Sequence, residues 1–527
     1  MKARFFWNDY KYFPYERELA IREVEILFGT DATRCEEFIE ANVRAGWQNP
    51  AKQLTYFKEV KVGTESIVPI QARLEGQDST VSTRQYKKRK TQSTRYSAHG
   101  LHEYRGKFNP QIVRAIGNLL QIRDSANVFD PFCGSGTTLL SGMFMGWNVV
   151  GIDRNPLAVF IANAKIYAVS SIDNGLWVDY KLLTYKIGTL DKKLDFDKPF
   201  DEEDKQILGV LCWSDILPNN EYLSNWFTES ILLQLAFLLN LIDQIERESS
   251  RQIFKVILSD IVREVSLQDP RDLRIRRRKK YSKNLNVLQK FIDSSKKKLE
   301  TIQETKSLLK SQTSRSLALQ SDAKEIINGF TAEIPETQQL FDAAITSPPY
   351  ATGLPYVDTN RLSLVLLGLI DASEIKTTQT SLIGNREITK KERLKLFEDL
   401  RYNKASMPTD VHNFCMELVN ALDSRDGFRR QNTPALLYKY FDEMAMSFRG
   451  VKKLLKPNSP YALVVGKNRT TLGGKEFVIN TPELLAKIAT TCGFKVNELI
   501  RLDTYPRYDL HKANSITAET LIILKAQ

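Results

Sequence analysis

The pattern of apolar and polar positions after residue 97 predicts alternating strands and helices. Short apolar runs at 127–130 and 147–153 predict buried strands, and the longer apolar stretches that follow them, at 137–146 and 157–169, predict helices. Further strand patterns occur at 341–347, 461–467 and 520–525. This order is typical of an α/β fold with a doubly wound, largely parallel sheet.

Stretches without this alternation divide the chain into predicted units. The apolar sequence at 225–248 and the basic sequence at 271–310 both predict helices, whereas the charged segment at 371–435 predicts mostly irregular structure. The predicted units are an N-terminal extension (1–95), the first part of the core (96–170), a helical, basic insertion (171–320), the second part of the core (321–370), another insertion (371–435) and the last core strands (436–527).

The basic charge of the chain is concentrated in one segment. Lys and Arg number 75 against 63 Asp and Glu, a net charge of +12, and residues 271–298 alone contain twelve basic and two acidic side chains. Such a local excess favours contact with nucleic acid over a merely solvated helix. The basic stretch at 84–90 is either a second contact or a flexible linker. The candidate nucleic-acid-binding residues are Arg274, Arg276, Arg277, Arg278, Lys279 and Lys280.

The cysteines, the histidines and the N-terminus limit the class of protein. The five cysteines and four histidines are scattered, so neither a disulfide scaffold nor a zinc site is predicted. The first twenty residues lack the apolar core of a signal peptide, and the apolar stretch at 231–242 is too short to span a bilayer. We therefore expect a cytoplasmic protein with no membrane partner and no metal.

A glycine-containing turn follows the first predicted core strand. In VFDPFCGSGTT, at 128–138, Gly134 and Gly136 let the backbone approach a ligand and present amide donors at the start of a helix. Asp153 ends the next strand, where it is placed to accept hydrogen bonds from ribose hydroxyls. Taken singly, the two features are also explained by a tight turn and a helix-capping carboxylate. Leu139 disfavours a dehydrogenase, whose fingerprint needs a small residue there.

The strand pattern at 341–347 ends in Ser-Pro-Pro-Tyr, which runs from Ser347 to Tyr350. Two consecutive prolines remove two amide donors and restrict the backbone, so their carbonyl groups point in fixed directions. Rigid acceptors, a small hydroxyl and an aromatic ring form a receptor for a planar base that carries an amino group. A proline-rich turn explains the motif equally well when it is taken alone.

Together, these motifs resemble those of the S-adenosylmethionine-dependent DNA amino-methyltransferases, which methylate cytosine N4 or adenine N6. DPFCGSGTT is similar to the family's cofactor motif, GIDRNP to its ribose-binding step, SDA at 321–323 to the step before the catalytic strand, and TSPPY to its catalytic motif. YRGKFNPQIV at 104–113 is similar to the segment that packs over the methionine end of the cofactor. The gap between the cofactor and catalytic motifs is unusually long for this family. We take the insertion at 171–320 as a candidate DNA-binding segment and the insertion at 371–435 as a candidate target-recognition segment, and the motifs leave open which of them reads the target sequence.

The resemblance implies a Rossmann-like methyltransferase core with a largely parallel seven-stranded sheet, and S-adenosyl-L-methionine as the cofactor. Ser347, in the place where adenine-specific members carry Asp or Asn, is typical of cytosine N4 enzymes. The implied catalytic residues are Ser347, Pro348, Pro349 and Tyr350. The implied cofactor-binding residues are Phe108, Asp130, Pro131, Phe132, Gly134, Gly136, Thr137, Asp153, Arg154, Asn155 and Asp322.

The implied reaction is a direct attack by an exocyclic amino group. That group donates hydrogen bonds to Ser347 Oγ and to the Pro348 carbonyl, and the base is flipped out of double-stranded DNA to stack on Tyr350. No cysteine follows a proline, so the thiolate chemistry of cytosine C5 methylation is not expected, and Cys133 is interpreted as packing near the cofactor. The histidines at 99 and 102 are interpreted as structural.

Several alternatives are left open by the motifs. They are an adenine N6 DNA methyltransferase, a tRNA guanine N2 methyltransferase with a similar turn and Pro-Pro-Tyr strand, and an inactive DNA-binding protein that has kept the fold. A fused nuclease is not expected, because the acidic run at 195–205 lacks a strand-borne metal site. A prokaryotic protein that associates with the nucleoid when bound to DNA is expected.

Overall fold

The chain folds into an N-terminal unit and an α/β core that carries long helical segments. The computed structural model describes residues 1–76, 92–172, 174–191, 193–196, 198–269, 276–278, 285–309, 315–326, 341–351, 356–504 and 518–527. The basic stretch at 84–90 therefore lies outside the described residues.

The N-terminal unit is an antiparallel sheet covered by a long helix. Its elements are β1 (Lys2–Trp7), α1 (Pro14–Phe28), β2 (Ala32–Arg34), β3 (Phe38–Asn42), α2 (Gln48–Gln53), β4 (Phe57–Val62), β5 (Glu65–Ile67) and α3 (Ile70–Leu74). The five strands lie in the order β2-β3-β1-β4-β5. Ala3, Phe5 and Trp7 are buried on one face of β1, as strand alternation requires.

Helix α1 joins this unit to the core through a buried carboxylate. Glu23 accepts hydrogen bonds from Thr55 Oγ1 at 2.6 Å and from Asn118 Nδ2, in the first core helix, also at 2.6 Å. Burial raises the pKa of Glu23 to about 7. Apolar side chains of both units form one continuous buried cluster, so the N-terminal unit is packed on the core.

The core is built on a seven-stranded sheet in which one strand runs against the others. Its strand order is β13-β14-β10-β9-β6-β7-β8, and only β14 pairs antiparallel with its neighbours, so the predicted fold class is confirmed. Residues 468–479 form a separate hairpin of β11 and β12. The strands after residue 100 are β6 (Asn127–Asp130), β7 (Asn148–Asp153), β8 (Ser316–Gln320), β9 (Ala343–Thr346), β10 (Pro460–Gly466), β11 (Asn468–Leu472), β12 (Lys475–Ile479), β13 (Phe494–Asp503) and β14 (Ala518–Ala526).

The central strands are buried on both faces, which explains their nearly continuous apolar sequence. In β10, Ala462 and Val464 belong to the buried cluster on one side of the sheet, and Leu463 and Val465 to the cluster on the other. All four residues of β9 are buried. The sheet is therefore covered by helices on both sides.

One face carries the helices of the first core part and of the first insertion. These helices are α4 (Pro110–Leu119), α5 (Thr137–Met145), α6 (Pro156–Ser170), α7 (Asn174–Asp191), α8 (Glu202–Leu208), α9 (Asn220–Ser224), α10 (Glu229–Asp243), α11 (Glu248–Val265) and α12 (Val287–Gln303). Helix α11 packs on α6, and α12 packs on both α11 and α6, so the insertion is joined to the core helices.

The predicted basic helix at 271–310 is wrong in its first part. The described residues 276–278 are not helical, and Arg277 forms an antiparallel bridge with Gln268. Helix α12 begins only at Val287, where the side chain of Asn286 accepts a hydrogen bond from Gln289 N at 2.8 Å. Cations spaced three and four residues apart repel one another on a helix, which disfavours a helix through the arginine run.

The prediction of mostly irregular structure at 371–435 is also wrong, because this segment is largely helical. A capping box that was not predicted starts the helix at Lys390: Thr389 N donates to Glu392 Oε2 at 2.7 Å, and Glu392 N donates to Thr389 Oγ1 at 3.2 Å. The helices after the catalytic motif are α13 (Tyr356–Leu366), α14 (Ile375–Ser381), α15 (Lys390–Arg401), α16 (Thr409–Asn420), α17 (Phe428–Gln431), α18 (Thr433–Leu454) and α19 (Thr481–Thr491). The predicted limits of the units stay predictions.

Candidate active site

A cleft lies where the parallel strands β6, β7, β8 and β9 reach their carboxyl ends. Loops that follow parallel strands meet at one edge of the sheet, so residues far apart in sequence become neighbours there. The cleft is lined by Tyr104, Gly106, Pro131, Phe132, Gly134, Asp153, Arg154, Asn155, Asp322, Ala323, Ser347, Pro349, Ser381, Leu382 and Ile383. The structure thus gathers most of the predicted cofactor residues and two of the predicted catalytic residues around one space.

The turn after β6 needs its two glycines for different reasons. Gly134 has φ +49° and lines the cleft, so the backbone itself forms part of the wall. Gly136 has φ +78°, and a Cβ on it would lie 2.8 Å from the Cβ of Ala162 in α6. Gly136 therefore permits close packing of the turn on α6, while Gly134 faces the ligand space.

Asp153 is held at the end of β7 by backbone amides. Its Oδ2 accepts a hydrogen bond from Gly134 N at 3.0 Å, and its Oδ1 accepts one from Asn155 N at 2.8 Å. Burial raises the pKa of Asp153 to about 6. The carboxylate thus fixes the glycine turn and presents its remaining lone pairs to the cleft.

Asp130 connects the glycine turn after β6 to the strand β9, which carries the predicted catalytic motif. The residue is buried, and its Oδ1 accepts hydrogen bonds from Phe132 N at 3.0 Å and from Thr346 Oγ1 at 2.5 Å. Burial raises the pKa of Asp130 to about 6. Thr346 directly precedes Ser347, so Asp130 sets the relative position of the two predicted motifs from behind the cleft wall.

Ser347 is fixed by the neighbouring strand. Its Oγ donates a hydrogen bond to the Val464 carbonyl of β10 at 3.2 Å. Because the hydroxyl proton is directed at that carbonyl, the oxygen lone pairs are left as acceptors. Pro349 lines the cleft beside Ser347, whereas Pro348 is buried.

Tyr350 is oriented by a carboxylate on the antiparallel strand β14. Its hydroxyl donates to Glu519 Oε1 at 2.5 Å. The Tyr350 backbone also packs on the segment after α14, since a Cβ on Gly384 would lie 2.6 Å from the Tyr350 carbonyl oxygen. Among the described residues, those that line the cleft include Ser347 and Pro349 but not Tyr350.

Other predicted cofactor residues support the cleft without lining it. Phe108 packs against the buried cluster, Gly136 is the N-cap residue of α5, and Thr137 is buried in the first turn of that helix. The predicted segment at 104–113 reaches the cleft through Tyr104 instead, whose hydroxyl accepts a hydrogen bond from Asn155 Nδ2 at 3.2 Å.

Six residues of the lining were not predicted. Tyr104 and Gly106 stand in a motif that the sequence does mark, and Ala323 follows the marked Asp322. Ser381, Leu382 and Ile383 come from the end of α14, where no motif indicates a role. Arg154 Nε donates to Ser381 Oγ at 3.4 Å, which ties this segment to the end of β7.

A buried lysine supports the cofactor turn. Lys165 in α6 donates hydrogen bonds from Nζ to the Ser135 carbonyl at 2.8 Å and to Ser135 Oγ at 3.1 Å. Burial lowers the pKa of Lys165 to about 7. Burial raises the pKa of the Cys133 thiol in the same turn, which disfavours the thiolate that a nucleophile needs.

Of the predicted nucleic-acid-binding residues, Arg276, Arg277 and Arg278 lie within the described chain, whereas Arg274, Lys279 and Lys280 lie outside it. Arg278 Nη2 donates to the carbonyls of Glu264 and Ser266 at 2.8 and 2.5 Å, and so caps the carboxyl end of α11. Arg277 Nη2 donates to a backbone carbonyl at 2.5 Å, and its guanidinium lies 5.8 Å from the Trp226 ring centre. Arg276 is exposed.

Within the described residues there is neither a metal-binding cluster nor a membrane-spanning helix. No cluster of three His, Cys, Asp or Glu side chains is arranged to hold a metal ion there. None of the described helices is both long and apolar enough to cross a membrane.

The strand order, the glycine turn after β6 and the acidic residue that ends β7 together define a Rossmann-like methyltransferase fold. A family model agrees with this class. The UPF0020 family, described as an RMKL-like methyltransferase domain, matches residues 101–183, which contain the cofactor turn and Asp153.

The curated relatives of the chain are type II methyltransferases. M.BsoBI of Geobacillus stearothermophilus is 24% identical over 432 residues, which cover 76% of this chain and 79% of that protein. M.MvaI of Kocuria varians is 24% identical over 390 residues, which cover 72% and 78%. M.MjaII of Methanocaldococcus jannaschii is 29% identical over 212 residues, which cover 32% of this chain and 40% of that protein.

These comparisons confirm the predicted resemblance to S-adenosylmethionine-dependent DNA methyltransferases, together with the cofactor that the resemblance implies. The matches to M.BsoBI and M.MvaI cover more than two thirds of each chain, whereas the match to M.MjaII covers less than half of that relative. The similarity therefore extends well beyond the cofactor turn.

Proposed function

We propose that the protein transfers a methyl group from S-adenosyl-L-methionine to the exocyclic amino group of a flipped base in double-stranded DNA, with cytosine N4 as the target. The observation that carries this proposal is the geometry of Ser347, whose proton is directed at Val464 and whose lone pairs remain as acceptors in the cleft that Asp153 also lines. The similarity to the type II methyltransferases M.BsoBI and M.MvaI supports the methyl transfer itself, and the choice of cytosine rests on Ser347.

The lining of the cleft fits an adenosine-containing ligand. Asp153 and Asp322 offer carboxylate acceptors for ribose hydroxyls and an amino group, and the Gly134 backbone permits close approach. Phe132 and Ile383 add an aromatic and an aliphatic surface for a planar base. In the proposed function these residues hold the cofactor, while Asp130 and Gly136 hold the turn in shape.

The cofactor supplies an electrophilic methyl group, so the protein has to position and activate the amino nitrogen. The lone pair of that nitrogen is delocalised into the ring of the base. Hydrogen bonds from the amino group to Ser347 Oγ and to the Pro348 carbonyl draw the nitrogen towards tetrahedral geometry and free the lone pair. Ser347 keeps its own proton, because its hydroxyl donates to Val464. As the nitrogen–methyl bond forms, the sulfur–methyl bond would break, S-adenosyl-L-homocysteine would leave, and the methylated nitrogen would release one proton to solvent.

Tyr350 provides the stacking surface for the flipped base in this proposal. Stacking on an aromatic ring compensates part of the cost of taking a base out of the duplex. The hydrogen bond from the Tyr350 hydroxyl to Glu519 fixes the plane of the ring before the base arrives. Glu519 is thus a positioning residue that acts through Tyr350.

The preference for cytosine rests on the neutral hydroxyl of Ser347, which is typical of cytosine N4 enzymes in the family that the motifs resemble. Adenine N6 is the competing target. Of the predicted nucleic-acid contacts, the proposal keeps Arg276 and Arg277, in the basic segment, as phosphate contacts and excludes Arg278, whose guanidinium caps α11.

The test is methyl transfer from labelled cofactor to duplex DNA and to tRNA, with Ser347→Ala as the matched inactive control. We expect label in DNA alone and no label with the control. Sequencing with modification-sensitive chemistry after expression in an unmethylated host then reports the base. Label in adenine would overturn the assignment to cytosine, and label in tRNA alone would overturn the proposal.

A further inference from the structure

A wide groove opens beside the cleft. It is formed by the segment from α14 to the start of α18, together with α13 and the β11–β12 hairpin. The groove is lined by Asp358, Lys376, Gln379, Thr380, Leu382, Ile383, Gly384, Asn385, Arg386, Glu387, Ile388, Thr389, Glu392, Phe428, Arg429, Arg430, Asn432, Thr433, Leu436, Arg469, Thr470 and Ile479, and we call it the basic groove. Leu382 and Ile383 line both spaces, so the basic groove and the cleft share a wall.

The charges of the basic groove favour an anionic occupant. Its lining includes five cations, all of them exposed, namely Lys376, Arg386, Arg429, Arg430 and Arg469. It includes three carboxylates, those of Asp358, Glu387 and Glu392, so the cations outnumber the acidic side chains in the lining. Asp358 lies 3.8 Å from Arg361, and Arg469 lies 3.4 Å from Glu476, so each of these two charges is balanced by a partner outside the lining. The remaining four cations face two carboxylates, and the field in the basic groove is therefore positive.

The basic groove also displays an exposed aromatic side chain in a fixed place. Phe428, the first residue of α17, has 62% of its surface exposed. The guanidinium of Arg393 lies 5.7 Å from its ring centre, and Arg393 Nη1 also donates to Asn432 Oδ1 at 3.4 Å. An exposed aromatic ring followed in the chain by Arg429 and Arg430 combines the two features that nucleic acids require, a stacking surface and cations for phosphates.

We infer that the basic groove carries the target DNA, with Arg429 and Arg430 on backbone phosphates and Phe428 against a base or sugar. This inference rests on the proposed function. The shared wall supplies the argument for DNA, because a duplex that places one base in the cleft must continue across the adjoining surface. An acidic peptide in the basic groove would have no reason to reach into the cleft.

This inference assigns DNA contact to residues that local charge density did not mark. Residues 428–430 contain only two cations, whereas the predicted segment at 271–298 contains twelve basic side chains. Arg278 from that segment caps a helix, while Arg429 and Arg430 are exposed beside the cleft. Two side chains, Arg361 and Trp226, link the two regions. Arg361 lies 3.8 Å from Asp358 of the basic groove and 5.9 Å from the ring centre of Trp226. The guanidinium of Arg277, in the basic segment, lies 5.8 Å from the centre of the same ring.

The test compares two double variants of the full-length protein in binding to labelled duplex DNA at several salt concentrations. Arg429→Ala/Arg430→Ala removes two cations from the basic groove. Lys495→Ala/Lys525→Ala removes an exposed pair that lies side by side on β13 and β14, at the edge where β10 begins and away from the cleft. Thermal melting and cofactor binding establish that both variants fold.

We expect the groove variant to bind DNA roughly 10-fold more weakly near physiological salt, and the slope of log affinity against log salt to fall by about 2, since each lost phosphate contact removes about 0.9. The matched control keeps the wild-type slope. Phe428→Ala leaves the slope unchanged and weakens DNA binding roughly 10-fold through lost stacking.

The outcomes separate this inference from the proposed function. If the wild type methylates DNA and the groove variant keeps wild-type affinity and slope, the inference is overturned and the proposed function stands. Equal losses in the groove variant and in the control show non-specific attraction and also overturn it. If the wild type transfers no methyl group to DNA but does to RNA, the proposed function fails first.

Discussion

The cleft and the basic groove beside it are built in opposite ways. In the cleft, polar side chains have fixed partners: Asp153 accepts two backbone amides, Ser347 donates to Val464, and Tyr350 donates to Glu519. In the basic groove, the five cations are exposed to solvent, and Arg469 also lies 3.4 Å from Glu476. Methyl transfer depends on the exact placement of a few atoms, whereas phosphate binding depends on charge and tolerates moving side chains.

The largest effect that sharpens this comparison is expected in the cleft. Ser347→Ala should lower the rate of methyl transfer by roughly 100-fold or more, because it removes an acceptor aimed at the reacting amino group. DNA affinity should stay within about 2-fold, because that affinity comes mainly from phosphate contacts. Single-turnover kinetics and DNA titration measure the two quantities. If Ser347→Ala lowered the rate of methyl transfer and the DNA affinity to the same extent, catalysis and DNA binding would not be separated between the cleft and the basic groove.

Asp153 provides the next largest effect. Its pKa is raised to about 6, so the carboxylate is charged above that pH and neutral below it. Cofactor affinity of the wild type should therefore rise as the pH increases through 6. Asp153→Asn should bind the cofactor roughly 10-fold more weakly at pH 7.5 through loss of a charged hydrogen-bond acceptor. Calorimetric titration at several pH values measures both effects.

The asparagine variant should also lose the dependence on pH around 6. If cofactor binding by Asp153→Asn kept the wild-type dependence on pH, the titrating group would be Asp130, whose pKa is also raised to about 6. DNA affinity serves as the internal control, since Asp153 does not line the basic groove.

Arg278 extends the comparison to an arginine with fixed partners. Arg278→Ala should lower the free energy of unfolding by roughly 1–2 kcal/mol, because carbonyls at the end of α11 lose their donors. The salt dependence of DNA binding should not change, in contrast to Arg429→Ala/Arg430→Ala. Denaturant unfolding measures the stability, with Arg276→Ala as the control for an exposed neighbour. If Arg278→Ala reduced the slope of log DNA affinity against log salt concentration, Arg278 would have to be counted as a phosphate contact.

The smallest effect concerns the orientation of Tyr350. Glu519→Gln and Tyr350→Phe should each lower the rate of methyl transfer by about 3-fold, since the first weakens and the second removes the hydrogen bond between these residues, while the aromatic ring stays in place. The double variant should be no slower than either single variant, because both changes act on the same contact. Additive losses would mean that Glu519 acts independently of Tyr350.

The central strands and the cofactor turn could be predicted because their signals are local. A short apolar run that ends in Asp130 and a turn with Gly134 and Gly136 define a strand, a turn and a helix within a dozen residues. The meeting of Asp153 and Ser347 could also be predicted, since the carboxyl ends of parallel strands share one edge of the sheet.

The wall formed by Ser381, Leu382 and Ile383 could not be predicted, because it depends on how the end of α14 packs on the catalytic motif. The contact of the Arg278 guanidinium with the end of α11 could not be predicted for a related reason. Charge density along a chain counts cations and does not report whether a guanidinium faces solvent or a helix end. The capping box at Thr389, in contrast, was readable from the sequence as a Thr-x-x-Glu pattern.

The shared wall of Leu382 and Ile383 has a consequence for engineering. A graft of residues 375–432 into a related enzyme would transplant the proposed DNA-binding surface together with part of the wall of the proposed cofactor cleft. Sequence preference and turnover would then change together in the chimaera. A change in sequence preference without loss of turnover is expected only if residues 381–383 of the recipient enzyme are kept and the replaced residues lie before and after them.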